Sequence, residues 1–228
     1  KKTQETVIKA EVGVYVVAPV GAVSVKNTME LARHAVKAGA NAIASVPPFY
    51  FNFPFDGIVD YYREMASLKT DVMVYSIPSA TVKLSVEQYC RLLSTEGVKS
   101  IKYTDTDYFT MQQIIASTGA EVYSGKDECF LSALAAGAGG AIGTTFNFML
   151  DKYLEIYSLF RAGENKRALE VQSAANAATA VTLKNLLPAV KYLIGLRYGI
   201  ECGGARKPFL PLDAELKTKL DIIAKTLF

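Results

Sequence analysis

Short apolar runs and longer stretches of helical periodicity alternate along the first two thirds of the chain. Residues 14–17, 42–46, 72–75, 100–103, 121–123 and 140–143 are short, apolar and bounded by turn residues, and they read as six strands. Between them, apolar positions recur at helical spacing over 27–38, 55–68, 86–93, 107–116 and 127–136. Ser85-x-x-Gln88 is a capping box that opens the third of these helices. After Gly143 the strand signal stops and helical patterns continue over 152–161, 167–182, 186–196 and 214–227. Residues 206–212, bracketed by Pro208 and Pro211, read as an extended linker, because proline biases its predecessor away from helix.

Strand, helix, strand is therefore the repeating unit, and its period of roughly 20 to 30 residues suits right-handed βαβ crossovers and a parallel sheet, closed or doubly wound. The strands are expected to be buried on both faces, as in a barrel. The expected fold is an α/β TIM (β/α)8 barrel lacking its two N-terminal strands, since six strands fall short of eight. Residues 1–150 would form the partial barrel and residues 151–228 a C-terminal helical extension. The opening Lys1-Lys2-Thr3-Gln4-Glu5-Thr6, with no initiator methionine, reads as an entry in the middle of a helix, with the missing strands upstream.

The 228 residues are 50% hydrophobic and 21% charged, enough for one large core and unlike a disordered chain. The formal charge of +3 is dispersed without a basic block, which argues against a nucleic-acid partner. Cys90, Cys129 and Cys202 are far apart and form no Cys/His cluster, so they read as reduced packing residues and no metal is expected. Charged residues, Gly or Pro break every apolar stretch before the roughly 20 residues a membrane helix needs, and no signal peptide is evident. A soluble cytoplasmic protein without a membrane partner is the expectation.

The strand ends are where a barrel of this type places its chemistry. Lys102 and Tyr75 occupy matching ends of two strands. A lysine held among apolar neighbours loses part of the hydration that stabilises its ammonium form, and the neutral amine makes imines with carbonyl compounds. Alone, Lys102 would more often be a strand-end lysine snorkelling to solvent, and Tyr75 a tyrosine with a satisfied hydroxyl. Asp127 and Glu128, like Asp105 and Asp107, would by themselves suit a helix start. His34 shares a predicted helix with Arg33 and Lys37 and reads as a surface residue. The glycine-rich 137–143 enters a strand instead of leaving one for a helix, so a dinucleotide fingerprint fails. Phosphorylated substrates are disfavoured, because the loops after the last two strands offer Lys126 as their one cation.

Taken in order, these motifs resemble class I pyruvate-dependent aldolases of the N-acetylneuraminate lyase and dihydrodipicolinate synthase superfamily over roughly residues 21–212. Tyr75, Ile77 and Pro78 match the family's Tyr-x-(Ile/Val)-Pro, and Ile101, Lys102 and Thr104 match (Ile/Leu)-Lys-x-(Thr/Ser). Gly125, Asp127 and Glu128 match the Gly-x-Asp-Glu of the sialic acid branch, followed by a glycine-rich strand that ends at Asn147. The resemblance implies a Schiff-base lysine at Lys102 and a proton-shuttling phenol at Tyr75. Thr104, Gly125, Asp127, Glu128 and Thr144 would bind a polyhydroxylated substrate, and Tyr50 matches a subunit-interface aromatic, implying a homotetramer. The implied reaction cleaves N-acetylneuraminate to N-acetylmannosamine and pyruvate, with no cofactor or metal.

Two departures accompany the resemblance. The family's Gly-(Ser/Thr)-Thr-Gly-Glu turn, which holds the pyruvate carboxylate, is not among these residues, so full activity is expected of the parent protein and not of this segment alone. Residues 79–82 are one residue shorter than the usual pattern. Alternatives are a sister aldolase, either dihydrodipicolinate synthase or a 2-keto-3-deoxy sugar acid aldolase, and a non-catalytic relative that binds a keto acid. The synthase usually carries an arginine where Ser79 and Ala80 stand, which favours a polyol substrate here.

Overall fold

Among the first five apolar runs, each pairs with the next one along the chain. The computed structural model describes Glu5, Thr6 and residues 13–227. Two units divide it: Lys1–Gly125 with Ala136–Gly139, and Lys126–Ala135 with Gly140–Phe228.

In the first unit β1 (Val17–Pro19), β2 (Ala42–Ser45), β3 (Asp71–Ser76), β4 (Val98–Tyr103) and β5 (Glu121–Ser124) form a parallel sheet in sequence order. The helices α1 (Val25–Ala38), α2 (Phe55–Ala66), α3 (Val86–Leu93) and α4 (Tyr108–Thr118) fall between successive strands. A helix after each strand in consecutive parallel order is the pattern that a (β/α)8 barrel lays down. The helix bounds follow local chemistry. Ser24 accepts from the Asn27 amide at the start of α1, and Gly39, at φ 96°, ends it in the left-handed conformation that glycine adopts without strain. The Ser85/Gln88 capping box forms in both directions at α3. Asp107 caps α4 through the Thr110 amide and hydroxyl.

The face of the sheet carrying Ile43, Val72, Val74, Ile101 and Val122 is closed to solvent, as are Met65, Leu92, Met111 and Ile114 of the helices. The other face meets the expectation of burial on both sides in β2 and β3 and departs from it in β4 and β5. In β4, Ser100 and Lys102 are only half-buried, and in β5 Tyr123 is half-buried and Glu121 exposed. On that face Ala44 of β2 and Met73 of β3 are buried, while polar residues stand at alternate positions of β4 and β5.

The second unit contains a 3-10 turn (Asp127–Cys129), α5 (Phe130–Ala135), β6 (Gly140–Ala141), α6 (Phe146–Arg161), α7 (Asn165–Thr182), α8 (Leu186–Tyr198) and α9 (Ala214–Leu227). Phe130, Phe148, Tyr153, Ile156, Leu193 and Leu220 anchor its core. A single helix was expected over 127–136, but its first turn is 3-10. Helix α6 begins six residues before its expected start at 152, and Met149 breaks its dihedrals (φ −143°, ψ 40°). Arg197 donates to the Phe148 carbonyl at this break and to Asp151 at 2.7 Å, so the kinked turn is held from α8. Asp151 loses hydration there, yet the hydrogen bond and charge of Arg197 hold its carboxyl below the ordinary carboxylate range.

Strand β1 starts three residues later than its apolar run. The Asn41 and Ala42 amides both donate to the Val16 carbonyl, so the ladder to β2 opens at Val17↔Ala42 while Val14 and Tyr15 stay exposed. The expected helical entry at 1–6 lies outside the described residues except for Glu5 and Thr6, which are helical. The two strands expected upstream also lie outside them. Among the described residues no helix is long and apolar enough to cross a membrane.

The Asp107 cap yields a test with a defined sign. The Thr110 amide and hydroxyl hold the Asp107 carboxyl below its ordinary value, so in acid the unfolded chain binds the proton more readily than the folded one. The cap's contribution is present at neutral pH and is lost as pH falls through the folded value. Asp107→Ala should lower the unfolding free energy by about 1 kcal/mol in urea titrations at pH 7. That difference should shrink steadily in acid; a difference independent of pH would contradict the cap.

Candidate active site

Parallel pairing puts matched residues on one face of the sheet, and Tyr75, Lys102 and Tyr123 are matched in register across β3, β4 and β5. A register shift between Val72 and Met73 sets this alignment: Val72 pairs with Val98, whereas Met73 pairs with Ser100. Without the extra residue on β4, Tyr75 would pair with Ile101 in place of Lys102, and its phenol would not meet the amine.

Lys102 Nζ donates to Tyr75 Oη at 3.2 Å and lies 4.3 Å from the centre of the Tyr75 ring. Both side chains are half-buried, so the amine is shielded yet reachable. On the other flank, Tyr123 donates to Glu121 at 2.6 Å, and this bond, with partial burial, pushes its phenol up to about 12. Tyr123 thus stays protonated over the whole neutral range. It was missed in the sequence; the alternation Glu121-x-Tyr123-x-Gly125, in phase with Lys102, was the available signal.

Thr104 and Gly125 sit one step beyond this row. The Thr104 amide donates to the Ser76 carbonyl at 2.9 Å and the Gly125 amide to the Tyr103 carbonyl at 2.8 Å, which continues both ladders past the strand ends. The Thr104 hydroxyl is buried and has no hydrogen-bond partner. A buried hydroxyl left unpaired costs stability. Gly125 makes room for it. A Cβ at position 125 would collide with the Thr104 hydroxyl, lie 2.8 Å from Thr104 Cβ and reach within 3.1 Å of Lys102 Cε.

In the second unit Asp127 is 7% exposed, and its Oδ2 accepts from the Thr145 amide at 2.8 Å and hydroxyl at 2.7 Å. That hydroxyl is also 2.9 Å from the Tyr153 phenol, which burial raises to about 12. Gln172 donates to the Asp127 carbonyl, and Asn176 donates to the Glu128 carbonyl at 2.9 Å. A Cβ at Gly143 would strike the Asp127 carboxylate. Asp127 therefore pins the turn and the start of α6. Glu128 is half-buried, 3.7 Å from Lys126 Nζ. Thr144 is half-buried, with its carbonyl accepting from the Asn147 side chain at 2.8 Å.

Tyr50 lies apart from these residues, 84% exposed, at φ 89° and edge-on to Phe51, itself 69% exposed. A groove of about 970 Å³ at the opposite strand ends, lined by Asp71, Gly97 and Lys99, holds none of the site residues. Among the described residues no group of three or more His, Cys, Asp or Glu could hold a metal ion.

A strand-end lysine against a phenol, beside an unpaired buried hydroxyl, coincides with the match of residues 3–227 to the dihydrodipicolinate synthetase family model. The chain belongs to that family. Among the members of the dihydrodipicolinate synthetase family it resembles is the N-acetylneuraminate lyase of Rhizobium meliloti (strain 1021), 34% identical over 215 residues, which span 92% of this chain and 72% of that one. The structure of CdNal from Clostridium difficile, in complex with mannosamine, superposes with a TM-score of 0.93 at 30% identity, covering 100% of this chain and 80% of that one. A catalytic lysine mutant of Ruminococcus gnavus sialic acid aldolase gives a TM-score of 0.93 at 29% identity, covering 98% and 76%.

Gly125→Ala should overpack the site and destabilise the protein by about 1–3 kcal/mol in thermal or urea unfolding. Adding Thr104→Ala removes the hydroxyl that the new methyl meets and should restore part of the loss. A neutral Gly125→Ala would contradict the close approach.

Proposed function

We propose that this chain carries the Schiff-base machinery of a pyruvate aldolase that cleaves N-acetylneuraminate to N-acetylmannosamine and pyruvate. The observation that carries this reading is the direct 3.2 Å contact between the Lys102 amine and the Tyr75 phenol. General acid–base groups act over this distance, and no intervening group is needed to pass a proton between the two.

On this reading Lys102 adds through Nζ to the C2 ketone of the open-chain sugar, and water leaves to form a protonated imine. The C3–C4 bond then breaks, its electron pair flowing into the imine to give an enamine. The proton on the C4 hydroxyl departs through Tyr75 as the aldehyde of N-acetylmannosamine forms. Protonation of the enamine at C3 and hydrolysis release pyruvate and restore the amine. The ring of Tyr75, its centre 4.3 Å from Nζ, gives the long lysine side chain a surface to lie against on this side.

The unpaired Thr104 hydroxyl, for which Gly125 makes room, supports a substrate that brings a hydrogen-bonding group to it. By the resemblance, Glu128 and Thr144 take the remaining polyol contacts, and Asp127 joins them chiefly by shaping the turn they stand on. The exposed Tyr50 and Phe51 support a buried place for that segment in a homotetramer.

Incubating the intact protein with pyruvate and borohydride should add one reduced pyruvyl group on Lys102, mapped by peptide mass, and Lys102→Ala should abolish it. An adduct on another lysine, or none, would overturn the proposal. Tyr75→Phe should lower kcat for N-acetylneuraminate cleavage by about 10²–10⁴-fold while leaving the adduct on Lys102. Faster cleavage of 2-keto-3-deoxygluconate than of N-acetylneuraminate would move the substrate to a sugar acid.

A further inference from the structure

Behind the face that carries Lys102 and Tyr75, the next residue of each strand points the other way. Ser76 follows Tyr75, Tyr103 follows Lys102, and the two are matched in register. Both are almost fully buried, and both meet one side chain of α3. Tyr89, itself 2% exposed, places its phenol 2.6 Å from Ser76 Oγ and its ring edge-on to Tyr103, with centroids 6.0 Å apart and planes at 71°. The far end of Tyr103 is tied as well, its phenol donating to the Asp107 carbonyl at 3.3 Å.

We infer that Tyr89 is a positioning residue for the Lys102–Tyr75 pair, an inference that rests on the aldolase reading for its kinetic consequence. A strand residue cannot translate or rotate about its axis without carrying its neighbour, so holding Ser76 and Tyr103 holds Tyr75 and Lys102. The Ser76 carbonyl also accepts from the Thr104 amide, which extends the same clamp to the unpaired hydroxyl. The hydroxyl partner matters because Ser76 and Tyr89 are both buried: a Ser76 side chain deprived of its phenol would rotate or draw in water, and β3 would shift with it. The clamp is itself fixed, since Tyr89 N–H bonds to the Ser85 carbonyl in the first turn of α3, where the Ser85/Gln88 box sets the helix start. Reaction geometry is sensitive to small displacements, so a loosened pair loses rate without losing substrate contacts.

Tyr89→Phe keeps the ring and removes only the hydroxyl. In crystals of the intact protein the Nζ–Oη separation should lengthen beyond hydrogen-bond range in this variant, and kcat should fall about tenfold with KM unchanged. Tyr89→Phe combined with Ser76→Ala removes the orphaned serine hydroxyl; it should recover melting temperature but not kcat, because the clamp is still absent. A Tyr89→Phe variant that melts earlier yet keeps its kcat and its Nζ–Oη separation would show Tyr89 to be packing alone and overturn the inference. Failure of the aldolase reading is read separately: the wild-type protein would then form no pyruvate adduct on Lys102, while the crystallographic separation in Tyr89→Phe would still decide the clamp.

Discussion

The hydrogen bond between Lys102 and Tyr75 depends on one irregularity in an otherwise regular sheet. Parallel strands bring residues of equal height onto a common face, but the local register decides which residues those are. The shift between Val72 and Met73 brings Tyr75, Lys102 and Tyr123 into one row. The closed face supplies Val74, Ile101 and Val122 as packing against the helices, and on β4 and β5 the other face carries Ser100, Lys102, Glu121 and Tyr123. The amine then has a phenol on each flanking strand, one bonded to it and one turned away to Glu121.

Small residues and buried hydroxyls do much of the remaining work. Gly125 and Gly143 are each placed where a methyl group would strike a neighbouring side chain, Thr104 in one unit and the Asp127 carboxylate in the other. Hydroxyl pairs stiffen the elements behind the sheet, where Ser45 meets Tyr61 and Ser76 meets Tyr89 at 2.6 Å each. Such pairs satisfy groups that would otherwise be buried without partners, and they fix side-chain rotamers at the same time.

The parts of the fold that depend on neighbouring residues were legible in the sequence. Helix α3 has its expected bounds because Ser85 and Gln88 announce its start, and the strands β2 to β5 fall on their apolar runs. Lys102 and Tyr75 could be singled out because both end apolar strands of adjacent βα repeats. What depends on distant partners was hidden. Strand β1 begins where Asn41 and Ala42 choose to bond, and α6 begins early because Thr145 is held by Asp127, eighteen positions before it, with no local cap to read. The collision avoided at Gly125 and the unpaired state of the Thr104 hydroxyl are facts of three-dimensional crowding, which no spacing rule encodes.

The account stands on a single covalent event at Lys102 with Tyr75 beside it. The most direct measurement is a crystal structure of the intact protein grown with pyruvate. Continuous density from Lys102 Nζ to C2 of the keto acid, with Tyr75 Oη within hydrogen-bond distance of the adduct, is the predicted result. Pyruvate bound without a bond to Lys102, or an adduct from which the Tyr75 phenol has turned away, would contradict it.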